Sequence, residues 1–159
     1  MNKIDINELK KFKAEANKVG YESENPKSKV KESDGSETIT YESGNWKFHD
    51  NYFGGEPYGG RTVIFYKGNP VHITVYYGFV EKSYDPDEVY SFLRKALRAS
   101  KNEEGFRGPE KFKEGNYVYN NSWKGDIGNF SGKEKIHKNE RLIYEGIYVG
   151  GLVDQRKGD

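Results

Sequence analysis

The chain has 159 residues, 33% of them hydrophobic and 32% charged, and 26 Lys and Arg face 25 Asp and Glu for a formal charge of +1. That balance argues against a field strong enough to hold nucleic acid or an anionic membrane without specificity, though not against a local basic patch. The absence of cysteine excludes a disulfide framework, thiolate catalysis and thiolate zinc sites.

The length fits one domain over residues 1–159. No run reaches membrane-spanning length, and Met1-Asn2-Lys3-Ile4-Asp5 holds no apolar signal core, so the expectation is a cytoplasmic protein with no membrane partner. Aromatics make up 15% of the chain, with 13 Tyr. Tyrosine rings must therefore supply much of the buried area, and each buried hydroxyl needs a partner.

The first predicted element is a helix. Ile6, Leu9, Phe12, Ala16 and Val19 recur at helical spacing on one face. Asp5 is its N-cap, Glu8 closes a capping box, and Gly20 ends it. Residues 21–37 are polar and aperiodic, which reads as a long surface loop or a disordered linker. β-structure follows. Thr38-Ile39-Thr40-Tyr41 is β-branched and aromatic, and Trp46 and Phe48 alternate with Lys47 and His49. The glycine-rich stretch from Tyr52 to Gly60 leads into a hairpin of 62–66 and 71–77, with its turn at Lys67-Gly68-Asn69-Pro70. A phosphate loop needs a helix directly behind it, and here a strand follows instead.

The second helix has the clearest boundary. Asp85 caps it, Pro86 takes its first position, Glu88 sits at N3, and Val89, Phe92, Leu93, Ala96 and Leu97 form the apolar stripe. Strands are then expected at 116–121, 133–138 and 141–149, with a polar tail at 154–159.

Two stretches resemble one another. Gly44-Asn45-Trp46 opens the first and Gly115-Asn116-Tyr117 the second; Val75-Tyr76-Tyr77-Gly78 closes the first and Ile147-Tyr148-Val149-Gly150 the second. Between them Gly54 aligns with Gly125, Gly60 with Gly132 and Ile64 with Ile136. The expected fold is therefore α+β, an internal duplication. Each repeat is a helix followed by a three- to four-stranded antiparallel β-meander, about 5–80 and 85–153, and a pseudo-twofold relates them. In the last strand of each unit, side chains alternate between an aliphatic face (Val71, Ile73, Val75) and a tyrosine face (Tyr76, Tyr148, with His72 and Tyr144). The aliphatic face is expected to pack on the helices.

No catalytic motif stands out. His49, His72 and His137 lack metal spacing, no GxSxG elbow exists, and the expectation is no metal and no cofactor. Loop carboxylates such as Glu56, Asp126 and Glu134 could do acid–base work in a hydrolase. The basic end of the second helix could serve a nucleic-acid or protein interaction module. The reading placed ahead of both is a non-enzymatic domain that holds an unidentified small molecule, an effector, in an aromatic cleft between the two repeats. Its candidate lining is Trp46, Tyr52, Glu56, His72, Tyr76, Tyr117, Trp123, Tyr144 and Tyr148.

The string Tyr52-Phe53-Gly54-Gly55-Glu56, with Tyr76-Tyr77-Gly78, Phe106-Arg107-Gly108-Pro109 and Gly150-Gly151-Leu152, resembles the prokaryotic domain family DUF5680 across nearly the whole chain. These motifs carry no catalytic residues. The resemblance implies a domain that occurs alone or behind a helix-turn-helix of the XRE regulator type, where it would serve as a sensing module.

Overall fold

The computed structural model describes residues 4–21, 26–100 and 106–156. In chain order the elements are α1 (Ile6–Gly20), β1 (Val30–Lys31), β2 (Glu37–Ser43), β3 (Trp46–Phe53), β4 (Tyr58–Tyr66), β5 (Asn69–Val80), α2 (Pro86–Arg98), β6 (Lys111–Glu114), β7 (Tyr117–Asp126), β8 (Asn129–Lys138) and β9 (Arg141–Leu152). Both helices start where the sequence places them. Asp5 Oδ1 accepts from the backbone N–H of Asn7 at 2.8 Å and of Glu8 at 3.2 Å, and Asp85 Oδ1 accepts from that of Asp87 at 3.0 Å. The β4–β5 turn holds Lys67 and Gly68 at φ 50° and 81°, the double positive φ that joins two strands with the correct twist.

The strands form one nine-stranded antiparallel sheet in the order β1-β2-β3-β4-β5-β9-β8-β7-β6. This overturns the expected α+β duplication of two helix-then-meander repeats. There are no two units facing each other across an axis: β5 and β9 are hydrogen-bonded neighbours from His72↔Leu152 to Val80↔Tyr144, and the fold is dominated by its sheet. The polar segment also differs from a structureless loop. Val30 and Lys31 pair with Thr38 and Glu37, and β7 runs on to Asp126, past the expected end of its strand. Residues 22–25 of that segment and 157–159 of the tail lie outside the described residues.

Both helices cover the same face. Leu9, Phe12 and Ala16 of α1 pack on Ile39, Phe48, Ile64 and Val71. Val89, Phe92, Leu93, Ala96 and Leu97 of α2 pack with Tyr119, Ile136, Ile143 and Tyr144. Between these two clusters lies a third, of Tyr76, Phe106, Phe130 and Tyr148. Each such side chain contributes roughly 1.5–3 kcal/mol of burial.

Val71 and Ile143, at the register shifts, pack under the helices, but beyond them the faces are the reverse of the expectation. Tyr76, Tyr144 and Tyr148 point toward the helices, whereas Val75, Tyr77, Ile147 and Val149 face away and are exposed. The physical reason is glycine. Gly132 lies opposite Tyr148, and a Cβ there would come within 2.0 Å of the Tyr148 ring. Gly78 lies opposite Tyr58, and its Cβ would meet the Tyr58 and Tyr144 hydroxyls at 2.8 Å. Rings lie flat over bare backbone, so the covered face accepts tyrosines where aliphatic residues would leave gaps. The glycine–aromatic likeness of the two stretches marks this packing, not separate units.

Gly132→Ala is expected to lower stability by about 1–3 kcal/mol, read as a lower urea midpoint, because the Tyr148 ring has nowhere to retreat. An unchanged midpoint would show that the ring does not depend on that space.

Candidate functional site

A cleft of about 540 Å³ opens on the covered face. Its walls are the end of α1 (Gly20, Tyr21), parts of the 26–37 segment (Lys29, Glu37), the β3–β4 connection and α2 (Tyr90, Leu93, Arg94). Its floor holds Asp50, Tyr58, Tyr76 and Arg107.

Asp50 reaches the floor because strand alternation puts it on the same face as Phe48 and Tyr52. It is 5% exposed. Its Oδ1 accepts from the Tyr76 hydroxyl at 2.6 Å and from the Thr62 hydroxyl at 2.8 Å, while Oδ2 takes no hydrogen bond among the described residues. Burial pushes this carboxyl above the usual carboxylate range; the two hydrogen bonds and the Arg107 charge pull it back.

Arg107 follows directly on Phe106, which stacks on Trp123 at 4.6 Å. Its Nε donates to Glu134 Oε1 at 2.6 Å, a pair whose side chains are only 9% and 1% exposed. Its guanidinium lies 4.7 Å from the Tyr76 ring centroid, and one terminal nitrogen donates to the Tyr58 hydroxyl at 3.5 Å. Tyr58 and Tyr144 share a hydrogen bond of 2.5 Å, and Tyr144 donates to Glu134 Oε2 at 3.3 Å. The ring closes consistently when Tyr58 donates to Tyr144: Arg107 donates to Tyr58, Tyr58 to Tyr144 and Tyr144 to Glu134, while Arg107 also donates directly to Glu134, so both arms run from the guanidinium to the carboxylate. Burial holds the Tyr58 hydroxyl protonated, pushed up to about 12 against the pull of Arg107. At the rim, Tyr52 donates to Glu37 at 2.6 Å, and Lys29 bridges the same carboxylate at 2.8 Å.

Of the side chains singled out in the sequence, Tyr52 and Tyr76 line this cleft. Tyr144 reaches its floor through Tyr58. Tyr148 donates to Asn121 at 2.7 Å and packs on Phe130, and Trp123 stacks on Phe106. Trp46 stacks on Phe12 and lies tilted against Tyr66 in the α1 cluster. Tyr117 stacks on Phe92 and bonds Glu88. Tyr76 and Tyr148 are adjacent cross-strand partners, so their rings cannot face each other across a gap.

The loop carboxylates have structural partners. Glu56 accepts from Val80 N–H at 2.8 Å and from the Tyr90 hydroxyl, which ties the β3–β4 connection to α2. Asp126 accepts from Gly128 N–H at 2.8 Å within its own turn. Sequence reasoning missed Asp50, Tyr58, Tyr90 and Arg107. Asp50 had a signal: an acid at an inward position of the alternating run 46–52.

Behind the cleft floor sits a second unusual pair. His72 is fully buried, its Nε2 3.0 Å from the Ile127 carbonyl and its ring stacked on Phe130. Donation from Nε2 leaves Nδ1 to accept from Lys13 Nζ, 3.5 Å away. Lys13 is 6% exposed, donates also to Thr74 at 3.5 Å, and has no carboxylate in salt-bridge range among the described residues. Burial, followed by the Lys13 charge, lowers His72 to about 2, and burial lowers Lys13 to about 7. Among the described residues no group of three or more His, Asp or Glu side chains could hold a metal ion. No helix among them is long and apolar enough to cross a membrane.

Residues 50–153 match the family described as "Domain of unknown function (DUF5680)". The chain belongs to DUF5680. No curated protein and no solved structure matches it. The span shared with DUF5680 begins at Asp50 and contains the whole polar floor, including Tyr58, Tyr76, Arg107 and Glu134; α1, β1 and β2 lie before it.

Two outcomes follow from these buried charges. Glu134→Ala leaves the Arg107 guanidinium buried without its anion and is expected to cost about 3–5 kcal/mol in urea unfolding. Lys13→Met removes a buried amine. The folded chain holds Lys13 at about 7 and the unfolded chain near the ordinary 10.5. Between those values the unfolded state binds the extra proton, so the stability of the unaltered protein rises with pH across that window. The Met variant should be the more stable at pH 7, by about 1–4 kcal/mol, and should lose that rise. Unfolding midpoints across the window measure both, and parallel pH curves would contradict this assignment.

Proposed function

We propose that this protein is a small-molecule-binding domain and that its ligand occupies the cleft over Asp50, Tyr76 and Arg107. The observation that supports this most directly is the composition of the floor. A buried carboxylate accepts from the Tyr76 hydroxyl and a buried guanidinium lies over the ring of the same tyrosine, in a cleft of about 540 Å³. Ligand pockets are about 300–1,000 Å³ and combine rings with a few placed polar groups. Five tyrosines, Tyr21, Tyr52, Tyr58, Tyr76 and Tyr90, line this one. Among the described residues Asp50 keeps one oxygen for a ligand donor, and Arg107 gives two of its donors to protein partners. The ligand class that fits is a small ring-bearing molecule with a donor at one end and an acceptor or anionic group at the other.

The DUF5680 resemblance extends this reading. Attached to an XRE-type helix-turn-helix, a domain of this kind would report its ligand to the DNA-binding unit; standing alone in the cytoplasm, it would sequester or signal that molecule.

A thermal-shift screen of a metabolite set tests the proposal. A compound that raises the melting temperature should lose at least about tenfold in affinity, or about 1.4 kcal/mol, on Asp50→Asn. It should be unaffected, within about twofold, by Tyr148→Phe, whose hydroxyl bonds Asn121 instead. A ligand whose affinity survives Asp50→Asn but falls with Tyr148→Phe would place binding elsewhere.

A further inference from the structure

The face of the sheet turned away from the helices carries a second surface. At its centre β5 and β9 expose Val75 at 45%, Tyr77 at 54%, Phe79 at 39%, Ile147 at 55% and Val149 at 53%, and Phe53 of β3 is 50% exposed. Register makes these side chains one patch. Val75 pairs with Val149 and Tyr77 with Ile147. On the β4 side Phe53 and Tyr77 flank Gly59, and Arg61 stands beside Val75. On the β8 side Lys133 stands beside Ile147, and Lys135 beside Glu145.

The margins are basic. Arg61, Lys133 and Lys135 border the patch, and Lys124, Lys113 and Lys111 continue the same face across β7 and β6. None of these six has a carboxylate in salt-bridge range among the described residues. Glu145 is the one acid within the patch. Further out, Glu42 is ion-paired with Lys47 at 3.6 Å, and Asp126 accepts from the Gly128 amide.

Charge complementarity selects the occupant. A second copy packed face to face would bring the same excess of cations, from Arg61, Lys133 and Lys135 against Glu145 alone, to a face that already carries them. That excess counts against self-association. A polyanion supplies the complementary charge. Tyr77 and Phe79 lie two residues apart on one strand, about 6.6–6.8 Å along it, and present rings on which unpaired bases can stack while phosphates reach the lysines. Duplex bases are already stacked and offer no face to these rings.

We propose that this uncovered sheet face binds single-stranded nucleic acid, with Phe53, Tyr77 and Phe79 as the stacking platform and Arg61, Lys133 and Lys135 as phosphate contacts. The site is on the opposite side of the sheet from the cleft, so the proposal does not depend on the small-molecule reading.

The test is fluorescence anisotropy with a labelled oligo-dT of about 20 nucleotides at about 50 mM salt and upward. The full chain should bind it, with affinity falling linearly in log–log plots against salt. The pair Tyr77→Ala and Phe79→Ala should weaken binding at least about tenfold. The pair Lys133→Glu and Lys135→Glu should weaken it similarly and flatten the salt slope. A blunt duplex of equal length should bind at least about tenfold more weakly. All four positions lie on the uncovered face, and an unchanged circular dichroism spectrum confirms that each variant is folded.

The proposal is overturned by no oligo-dT binding by the unaltered chain, by equal binding of duplex with no effect of the ring variants, or by sedimentation showing a dimer that Tyr77→Ala dissociates. Binding to vesicles of phosphatidylserine without binding to oligo-dT would also overturn it, in favour of a lipid surface.

Discussion

A guanidinium beneath two helices is the constraint around which the covered face is arranged. Arg107 remains charged under all ordinary conditions and has lost most of its water. Glu134, almost fully buried on β8, supplies the anion, and its second oxygen takes the Tyr144 hydroxyl. Tyr144 in turn holds Tyr58, which comes from β4, and Tyr58 returns to Arg107. Strands β4, β8 and β9 and the segment before β6 are thus tied by one polar circuit. Breaking one link strands a charge or a hydroxyl in a low-dielectric interior, so the members stand together. The same guanidinium lies over the Tyr76 ring and fixes the position of the hydroxyl that bonds Asp50. The floor of the cleft is therefore held by the core, not by mobile surface residues, which is what a preorganised site requires.

Tyrosine on the covered face needs two things, space for the ring and a partner for the oxygen. Glycine opposite the ring provides the first, as at Gly132 and Gly78. Asn121, Asp50 and Glu134 provide the second. Among the described residues Tyr119 is the exception, a buried hydroxyl with no hydrogen-bond partner there, and its ring lies against Gly108. With so much of the core built from hydroxylated rings, the network of acceptors has to be built in with it. That is why buried acids occur in strands that otherwise read as apolar and aromatic.

Helices and turns were legible because their signals are local. Asp5, Asp85 and Pro86 act within a few residues, and Lys67-Gly68 needs only its own φ values. Strand alternation was legible too, but not which face is inside. Val75, Ile147 and Val149 have the composition of a core face, yet the helices cover the other one, because Tyr76 and Tyr148 have glycines and acceptors waiting there. The joining of β5 to β9 brings together strands far apart in the chain, and no local pattern specifies it. The cleft floor depends on that same long-range closure: Asp50, Tyr58 and Arg107 meet only once the sheet has formed. Tyr52 and Tyr76 were singled out from the sequence and line the cleft; of the residues that were missed, Asp50 left a trace, as an acid at an inward position of β3.

Net charge averages over faces that do not share partners. The formal +1 counts acids that cap helices or lie buried, such as Asp5, Asp85, Asp50 and Glu134, equally with lysines that face solvent. Acids used in capping and in the polar circuit contribute little field to the far side of the sheet. Lys111, Lys113, Lys124, Lys133 and Lys135 on that side have no carboxylate in salt-bridge range among the described residues. A sheet with helices on one face alone must leave its other face to solvent or to a partner. Here that face combines apolar side chains with unpaired cations. Apolar area alone would favour another copy of the chain, and cations alone would favour solvent. Together they favour an occupant that brings both negative charge and flat apolar surface.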